Sequence, residues 1–230
     1  MLLITPVLTP FLRLVGGTES TIGLARNYII WTTYFGGIPT TLNILLANLV
    51  RAEGKSGVAS FGVSMGGMIA QHLAIDFPER VNRLILAVTS SRPNPLLNES
   101  LDEWITLAKK GDHTAFMDSN LRRIYSEDYC RKNRWMVPLI GRLTKPKSYD
   151  RFFIQADACL THDAFAQLPC ITAPTLVIGG GKDLALGPEA SEEIAAEIPG
   201  ARLKLYPQWG HGVYEEEPDF NRLIMDFLRE

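Results

Sequence analysis

The sequence predicts an α/β protein built on a mostly parallel, doubly wound sheet. From about residue 51 onward, short apolar runs of strand length alternate with longer helix-like segments. These runs contain few polar residues, as expected for strands that are covered on both faces. Strands that alternate with helices are parallel, because each helix carries the chain back to the same end of the sheet.

The elements follow in order along the chain. Residues 58–61 and 83–89 are predicted strands, and the helix between them, 67–77, is ended by Pro78. Helical stretches without a clear strand come next, among them 100–110 and 126–137. The pattern then returns to alternation, with a strand at 174–179, a helix at 189–198, a strand at 201–206 and a closing helix at 218–230.

The composition divides the chain into three parts. Residues 1–50 contain only three charged residues, although surface helices need a charged face. We therefore expect an atypical N-terminal segment that is an incomplete part of the core (1–55), an α/β core (56–93 and 164–230) and a helical cap or lid insertion (94–163).

Charge and cysteine content exclude several classes of protein. The formal net charge of −2 argues against a nucleic-acid binder, which would carry a strong basic excess. Three cysteines without metal-ligand spacing indicate free thiols and a cytoplasmic location, and no metal or other cofactor is expected. Residues 27–50 carry no charge and are long enough to span a bilayer, but Pro39 and the Gly36-Gly37 pair favour a non-membrane segment.

A candidate nucleophile stands between the first predicted strand and its helix, in Gly62-Val63-Ser64-Met65-Gly66. A serine on such a turn projects its hydroxyl out of the fold. We expect side chains at Gly62 and Gly66 to obstruct the strained backbone and the close strand–helix packing. The five-residue pattern by itself also arises by chance, so its position after a strand and before a helix is what favours a nucleophile.

Two further residues supply the partners that a serine nucleophile needs. Asp183 follows the strand 174–179, and His211, between two glycines, follows the strand 201–206. Carboxyl ends of parallel strands share one edge of the sheet, so Ser64, Asp183 and His211 are expected to meet there. A turn-capping Asp183 and a loop His211 are the structural alternatives, and we interpret the other histidines, His72, His113 and His162, as structural or surface residues.

The order serine, aspartate, histidine together with these segments resembles the α/β-hydrolase fold superfamily, in the branch of esterases, enol-lactonases and non-metal haloperoxidase-like enzymes. The resemblance covers about residues 57–230. It implies Ser64 as nucleophile, His211 as base and Asp183 as orienting acid. It also implies the backbone N–H of Met65 as one donor of the oxyanion hole.

The first part of the chain departs from that family. Such enzymes carry a His-Gly oxyanion loop and an Asp-x-Arg-Gly-like turn before the nucleophile, and neither exists before Ser64. The glycine pairs Gly16-Gly17 and Gly36-Gly37 are the alternative sources of a second oxyanion donor. We interpret residues 1 to about 55 as the product of a truncated or frameshifted gene, which translation of the coding DNA in its other frames would test.

The insertion suggests two features of a substrate. Residues 121–151 have an excess of basic side chains, with nine Lys or Arg and three Asp or Glu. This excess indicates either a preference for an anionic substrate or a solvated helical face. Four aromatic residues are candidates for an apolar acyl pocket or for plain core: Trp104, Phe116, Phe152 and Phe153.

The sequence therefore predicts a serine hydrolase that cleaves a small carboxylic ester or lactone through an acyl-enzyme. The expected partner is a small-molecule substrate, and neither a nucleic acid nor a membrane is expected to bind. The sequence does not indicate the oligomeric state. Other acyl chemistry on the same triad stays open, namely C–C hydrolysis, thioester cleavage or acyl transfer. A catalytically silent or damaged relative is the alternative outside enzymes.

Overall fold

The computed structural model describes residues 58–230. The N-terminal segment, with its glycine pairs and the uncharged stretch 27–50, lies outside the described residues. Within 58–230, four parallel strands form one sheet in the order β1-β2-β3-β4. The strands are β1 (Val58–Val63), β2 (Val81–Ala87), β3 (Thr175–Gly180) and β4 (Arg202–Tyr206).

Helices connect and cover these strands. Helix α1 (Met65–Asp76) joins β1 to β2, and α7 (Pro188–Glu197) joins β3 to β4. After β4 the chain forms α8 (Val213–Glu216) and α9 (Phe220–Arg229). Between β2 and β3 lie five helices: α2 (Pro95–Lys109), α3 (His113–Ile124), α4 (Glu127–Asn133), α5 (Val137–Leu143) and α6 (Asp150–Thr161).

Alternate residues of the central strands point to opposite faces of the sheet, and each face has its own apolar core. Leu84 and Leu86 of β2 pack with residues of α1 and α7. Ile85 and Ala87 face the other side and pack with residues of α8 and α9. Helices on both faces of a parallel sheet make the doubly wound architecture, which confirms the predicted fold class.

The element boundaries differ from the predicted ones at informative places. Strand β2 ends at Ala87 instead of residue 89, because Val88 turns the backbone into the left-handed region at φ 42°. The helix predicted over 126–137 is divided: α4 ends at Asn133, one turn of 3₁₀-helix covers Arg134–Met136, and α5 begins at Val137. In the described part of the chain, no helix is long and apolar enough to cross a membrane.

Candidate active site

Ser64 occupies a strained turn between β1 and α1. Its φ of 54° is uncommon for a non-glycine residue, and its backbone N–H donates to the carbonyl oxygen of Ala87 on β2. A strained conformation persists where the surrounding structure fixes it, as it does at many functional sites. The turn therefore places Ser64 at the carboxyl edge of the sheet, where the sequence predicted it.

The glycines around Ser64 do not all serve the turn in the same way. A Cβ added to Gly62 would lie 2.6 Å from the Cα of Gly67 and would also contact the carbonyl oxygen of Gly66. Gly62 is thus required for close strand–helix packing, as predicted. The prediction for Gly66 is wrong as far as the described residues show, since a Cβ built there would meet no atom within 4 Å beyond its chain neighbours and the backbone of its own helix. Gly67 is the second tight position, with the side chain of Thr89 at 2.6 Å.

Thr89, two residues after the end of β2, supports the nucleophile turn through a contact that the sequence analysis missed. Its Oγ1 donates to the carbonyl oxygen of Ser64 at 2.7 Å, and Thr89 is buried. The residue before it, Val88, has the positive φ that ends β2, and its N–H donates to the carbonyl oxygen of Ile178. The two residues with positive φ, Ser64 and Val88, therefore lie at the ends of adjacent strands, and the neighbours of Val88 in the chain hold Ser64 by hydrogen bonds. No local pattern reveals this, because the contact joins residues 25 positions apart.

Asp183 and His211 form a buried pair. The ring Nδ1 of His211 lies 2.8 Å from Oδ2 of Asp183, and the two residues are 5% and 4% exposed. The other carboxylate oxygen, Oδ1, accepts the backbone N–H groups of Ala185 and Leu186 at 2.8 and 2.9 Å. Each oxygen of the Asp183 carboxylate therefore has a hydrogen-bond partner, which fixes the orientation of the group.

The loops that carry this pair are held together by backbone contacts. Lys182 donates its N–H to the carbonyl oxygen of Trp209 at 2.9 Å, and Gly181 donates to that of Tyr206 at 2.9 Å. A Cβ on Gly180 would contact the carbonyl group of Gly210. The ends of β3 and β4 thus approach each other closely, which brings Asp183 to His211.

The pairing also sets the chemistry of the imidazole. A carboxylate oxygen accepts a hydrogen bond from the ring nitrogen that faces it, which makes Nδ1 of His211 the donor and leaves the lone pair on Nε2. Ser64 and His211 line the same cavity. The arrangement can therefore transfer a proton between a hydroxyl in the cavity and Nε2 while Asp183 stabilises the charged ring.

A cavity of about 220 Å³ lies over Ser64. Helices α2, α3 and α6 and the loop after β3 supply most of its walls. Of the four aromatic candidates, Trp104, Phe116 and Phe152 line the cavity, whereas Phe153 packs against Tyr149 and Phe152. The full lining is Ser64, Met65, Met68, Leu97, Leu101, Trp104, Phe116, Asn120, Phe152, Gln155, Ala156, Cys159, Ala185, Leu186 and His211.

The basic residues of the insertion do not reach this cavity. Arg123 pairs with Glu99 and Glu103, each at 2.8 Å, and Arg134 pairs with Asp118 at 2.7 Å. No Lys, Arg, Asp or Glu lines the cavity among the residues that the structure describes. The geometry thus favours the solvated-face interpretation over a preference for an anionic substrate.

Within residues 58–230, none of the remaining histidines and cysteines is hydrogen-bonded to the side chains of the Asp183–His211 pair. His113 is buried and hydrogen-bonds through its ring nitrogens to Tyr149 and Thr144, and His162 is buried with its ring 5.1 Å from that of His72. The three cysteines are free thiols, and burial raises the pKa of Cys159. Within residues 58–230, no group of three potential metal ligands comes together.

Met65 is the first residue of α1 and lines the cavity beside Ser64. The first N–H groups of a helix have no partner within it, and they favour negative charge. Within residues 58–230, the backbone N–H of Met65 has no hydrogen-bond acceptor. This N–H is therefore available to an oxyanion, whereas the sources considered for a second donor lie outside the described residues.

Comparison with known proteins places the chain beside hydrolases. A family model described as alpha/beta hydrolase fold matches residues 16–218, so it begins well before the region where the sequence motifs suggested a resemblance. RutD of Caulobacter sp. (strain K31), whose name provisionally assigns it as a carbamate hydrolase, is 25% identical over 186 residues, covering 80% of this chain and 69% of that protein.

Two solved structures extend this comparison. MGS-M2, an alpha/beta hydrolase enzyme from a Medee basin deep-sea metagenome library, is 28% identical with a TM-score of 0.71, covering 81% of this chain and 70% of that one. The enol-lactonase from Burkholderia xenovorans LB400 is 26% identical with a TM-score of 0.67, covering 80% and 70% respectively.

Proposed function

Because the chain belongs to the alpha/beta hydrolase fold family, we propose that it is a serine hydrolase that cleaves a small carboxylic ester or lactone through an acyl-enzyme. The observation that carries this proposal is the convergence of Ser64, on its strained turn, and the His211–Asp183 pair on one apolar cavity. The similarity to an enol-lactonase supports the lactone as one form of the substrate.

The first half of the reaction forms the acyl-enzyme. His211 Nε2 takes the proton of the Ser64 hydroxyl as its oxygen attacks the substrate carbonyl carbon. Asp183 holds the ring in the correct tautomer and stabilises the imidazolium. The Met65 N–H donates to the developing oxyanion, where one such donor is worth about 10²–10³ in turnover. His211 then returns its proton to the alkoxide leaving group.

The second half releases the acid. His211 takes a proton from water, whose oxygen attacks the acyl carbonyl carbon, and the proton passes to Ser64 as its bond to the acyl group breaks. We assign the helical segment 94–163 the role of a cap, because α2, α3 and α6 supply apolar walls over Ser64. These mainly apolar walls favour small substrates with uncharged acyl groups.

A pre-steady-state experiment tests this proposal. With p-nitrophenyl acetate, wild type should release a burst of p-nitrophenol equivalent to one per active site, and a fluorophosphonate probe should label Ser64. Ser64→Ala should lose both signals. Ser90→Ala is the matched control, because Ser90 is a buried serine near the same edge whose hydroxyl has no partner in residues 58–230. Equal activity of Ser64→Ala and wild type would refute the proposal.

A carbamate is the second candidate substrate, and the similarity to RutD favours it. Its carbonyl carbon would be attacked by the same serine, so the two functions differ in the substrate and not in the residues. Steady-state comparison of an ester with the carbamate of the same alcohol distinguishes them. A well-folded chain that the fluorophosphonate does not label at Ser64 would instead indicate a catalytically silent relative.

A further inference from the structure

We propose that the cavity selects an uncharged substrate that carries an amide N–H or a hydroxyl group on its acyl part, and that Asn120 binds this donor. The inference rests on the proposed function, because it concerns which ester or lactone the Ser64 site accepts. It goes further by naming a substrate class and a residue that determines specificity.

The absence of charge in the described lining is the first argument. Most of its residues have apolar or aromatic side chains, while Ser64 and His211 belong to the proposed chemistry. A carboxylate or ammonium group enclosed by such walls would lose its hydration without gaining an ionic partner, which is strongly unfavourable. The substrate part that enters this cavity is therefore uncharged.

The second argument is the orientation of the Asn120 carboxamide on α3. One end of it lies 2.8 Å from the backbone carbonyl oxygen of Phe116, one helical turn earlier. A carbonyl oxygen only accepts hydrogen bonds, so the end that faces it must be the donating Nδ2. Oδ1 is left as an acceptor, and it has no hydrogen-bond partner among residues 58–230.

The other polar side chains of the cavity lining are less suited to bind a hydrogen-bond donor of the substrate. The indole N–H of Trp104 is already donated to Ser119 Oγ at 3.1 Å. Burial keeps the Cys159 thiol neutral by raising its pKa, and a thiol is a weak hydrogen-bonding group. Gln155 of α6 is exposed and can be satisfied by water. Asn120 is partly buried, and its Oδ1 has no partner within residues 58–230, so it is the acceptor that a bound substrate would remove from water.

A hydrogen-bond donor on the substrate would give Asn120 Oδ1 a partner in the complex. An acceptor that loses water on binding and gains no partner costs about 1–3 kcal/mol, which corresponds to a factor of about 5 to 150 in binding. An amide N–H or a hydroxyl at the right distance from the scissile carbonyl pairs with Oδ1 and avoids that cost. Substrates with such a group should therefore be bound more tightly than analogues without it.

Matched p-nitrophenyl esters test the donor directly. Acetamidoalkanoates, with the amide N–H three to five atoms from the ester carbonyl carbon, are compared with acetoxyalkanoates, in which an oxygen replaces that N–H. We expect wild type to prefer the best acetamido ester by about 10- to 100-fold in kcat/KM, mainly through KM, because the contact forms in the ground state. Glutarate mono-p-nitrophenyl ester, an anion, should be cleaved at least tenfold less efficiently than its neutral methyl ester.

The variants locate the effect at one residue. Asn120→Leu should reduce the acetamido preference to about one, and Asn120→Ala repeats the test with a residue that favours helix and fits without repacking. Asn133→Leu is the matched control and should keep the preference. Asn133 also donates its Nδ2 to the carbonyl oxygen one turn earlier, that of Tyr129 at 2.9 Å, but it is not part of the cavity lining.

The outcomes separate this inference from the proposed function. Equal kcat/KM of wild type for acetamido and acetoxy esters would overturn the inference while the burst and the labelling of Ser64 still supported a serine hydrolase. Retention of the preference in both Asn120 variants would also overturn it. Failure to cleave any ester, together with no labelling of Ser64, would overturn the proposed function and the inference with it.

Discussion

Replacement of Asp183 by asparagine changes one atom at the point where the proposed mechanism is most sensitive. In the structure, Asp183 Oδ1 accepts two backbone N–H groups, from Ala185 and Leu186, and Oδ2 faces Nδ1 of His211. The asparagine of the Asp183→Asn variant would turn its oxygen toward the two N–H groups, since these can only donate. Its NH₂ group would then face the histidine ring.

That orientation inverts the tautomer of His211. A donor opposite Nδ1 requires Nδ1 to accept, so the ring proton moves to Nε2 and the base needed for Ser64 is lost. The same substitution in a serine-protease triad lowers kcat by about 10⁴, equivalent to about 5.5 kcal/mol in the activation free energy. We expect a loss of this size in kcat for Asp183→Asn, with KM changed by less than a factor of about three.

Stopped-flow acylation by p-nitrophenyl acetate measures this loss, with active sites counted by the fluorophosphonate. Asp112→Asn is a matched control, because Asp112 also accepts a backbone N–H, that of Ala115, at the start of α3, and Asp112 does not line the cavity. The double variant Asp183→Asn/Ser64→Ala should be no slower than Ser64→Ala, since residues that act as a unit are non-additive. Activity of Asp183→Asn within tenfold of wild type would show that the pair does not orient a base.

Three further predictions concern the turn and the buried histidine. Gly62→Ala should lower the free energy of unfolding by about 1–3 kcal/mol, because its Cβ meets the backbone of α1. Gly66→Ala should cost less than about 0.5 kcal/mol in the same urea titration, and equal losses would contradict the packing argument. Thr89→Val should lower kcat about three- to tenfold, because it removes the hydrogen bond to the Ser64 carbonyl oxygen. Thr89→Ser keeps the hydroxyl and should retain the wild-type kcat. The same kcat in the Thr89→Val and Thr89→Ser variants would assign Thr89 to packing alone. Burial, and secondarily the neighbouring His72, lower the pKa of His162, so the folded state binds its proton less readily than the unfolded chain. Stability is therefore full above the unfolded pKa of about 6.5 and falls as the pH drops below it; Tm scans from pH 7.5 to 5 should fall less steeply for His162→Gln, and parallel curves would exclude this residue as the cause.

The positions of the proposed catalytic residues could be predicted because they depend on a repeated local signal. Each of Ser64, Asp183 and His211 follows a segment with a strand pattern, which is an apolar run before Ser64 and Asp183 and an alternation of apolar and charged residues before His211. A parallel sheet brings the ends of all such segments to one edge. The fold class rests on the same alternation. The catalytic roles of these three residues remain predictions, since the geometry provides the arrangement without showing the reaction.

The features that could not be predicted depend on contacts between distant residues. Val88 is β-branched and is predicted as the continuation of a strand, yet it adopts φ 42°, with its N–H hydrogen-bonded to Ile178 on β3. The close packing of Gly62 and the lack of such a contact at Gly66 within residues 58–230 cannot be distinguished in a pattern that contains both glycines. The charge excess of the insertion was likewise ambiguous, because a count of residues does not tell which side of a helix faces the cavity.

The residues of the site come from two parts of the fold, and substitutions in these two parts should have different kinetic effects. The proposed chemistry comes from the ends of β1, β3 and β4, which are fixed by the sheet, whereas Asn120, Trp104 and Phe152 come from helices of the insertion. Changes at the strand ends should therefore lower kcat for every substrate by a similar factor. Changes on α3 or α6 should alter the ratio of kcat/KM between substrates while the reactivity of Ser64 toward a small fluorophosphonate stays the same. A substitution at Asn120 that slowed this labelling as much as ester cleavage would place Asn120 in the catalytic machinery, and the separation between core and insertion would not hold.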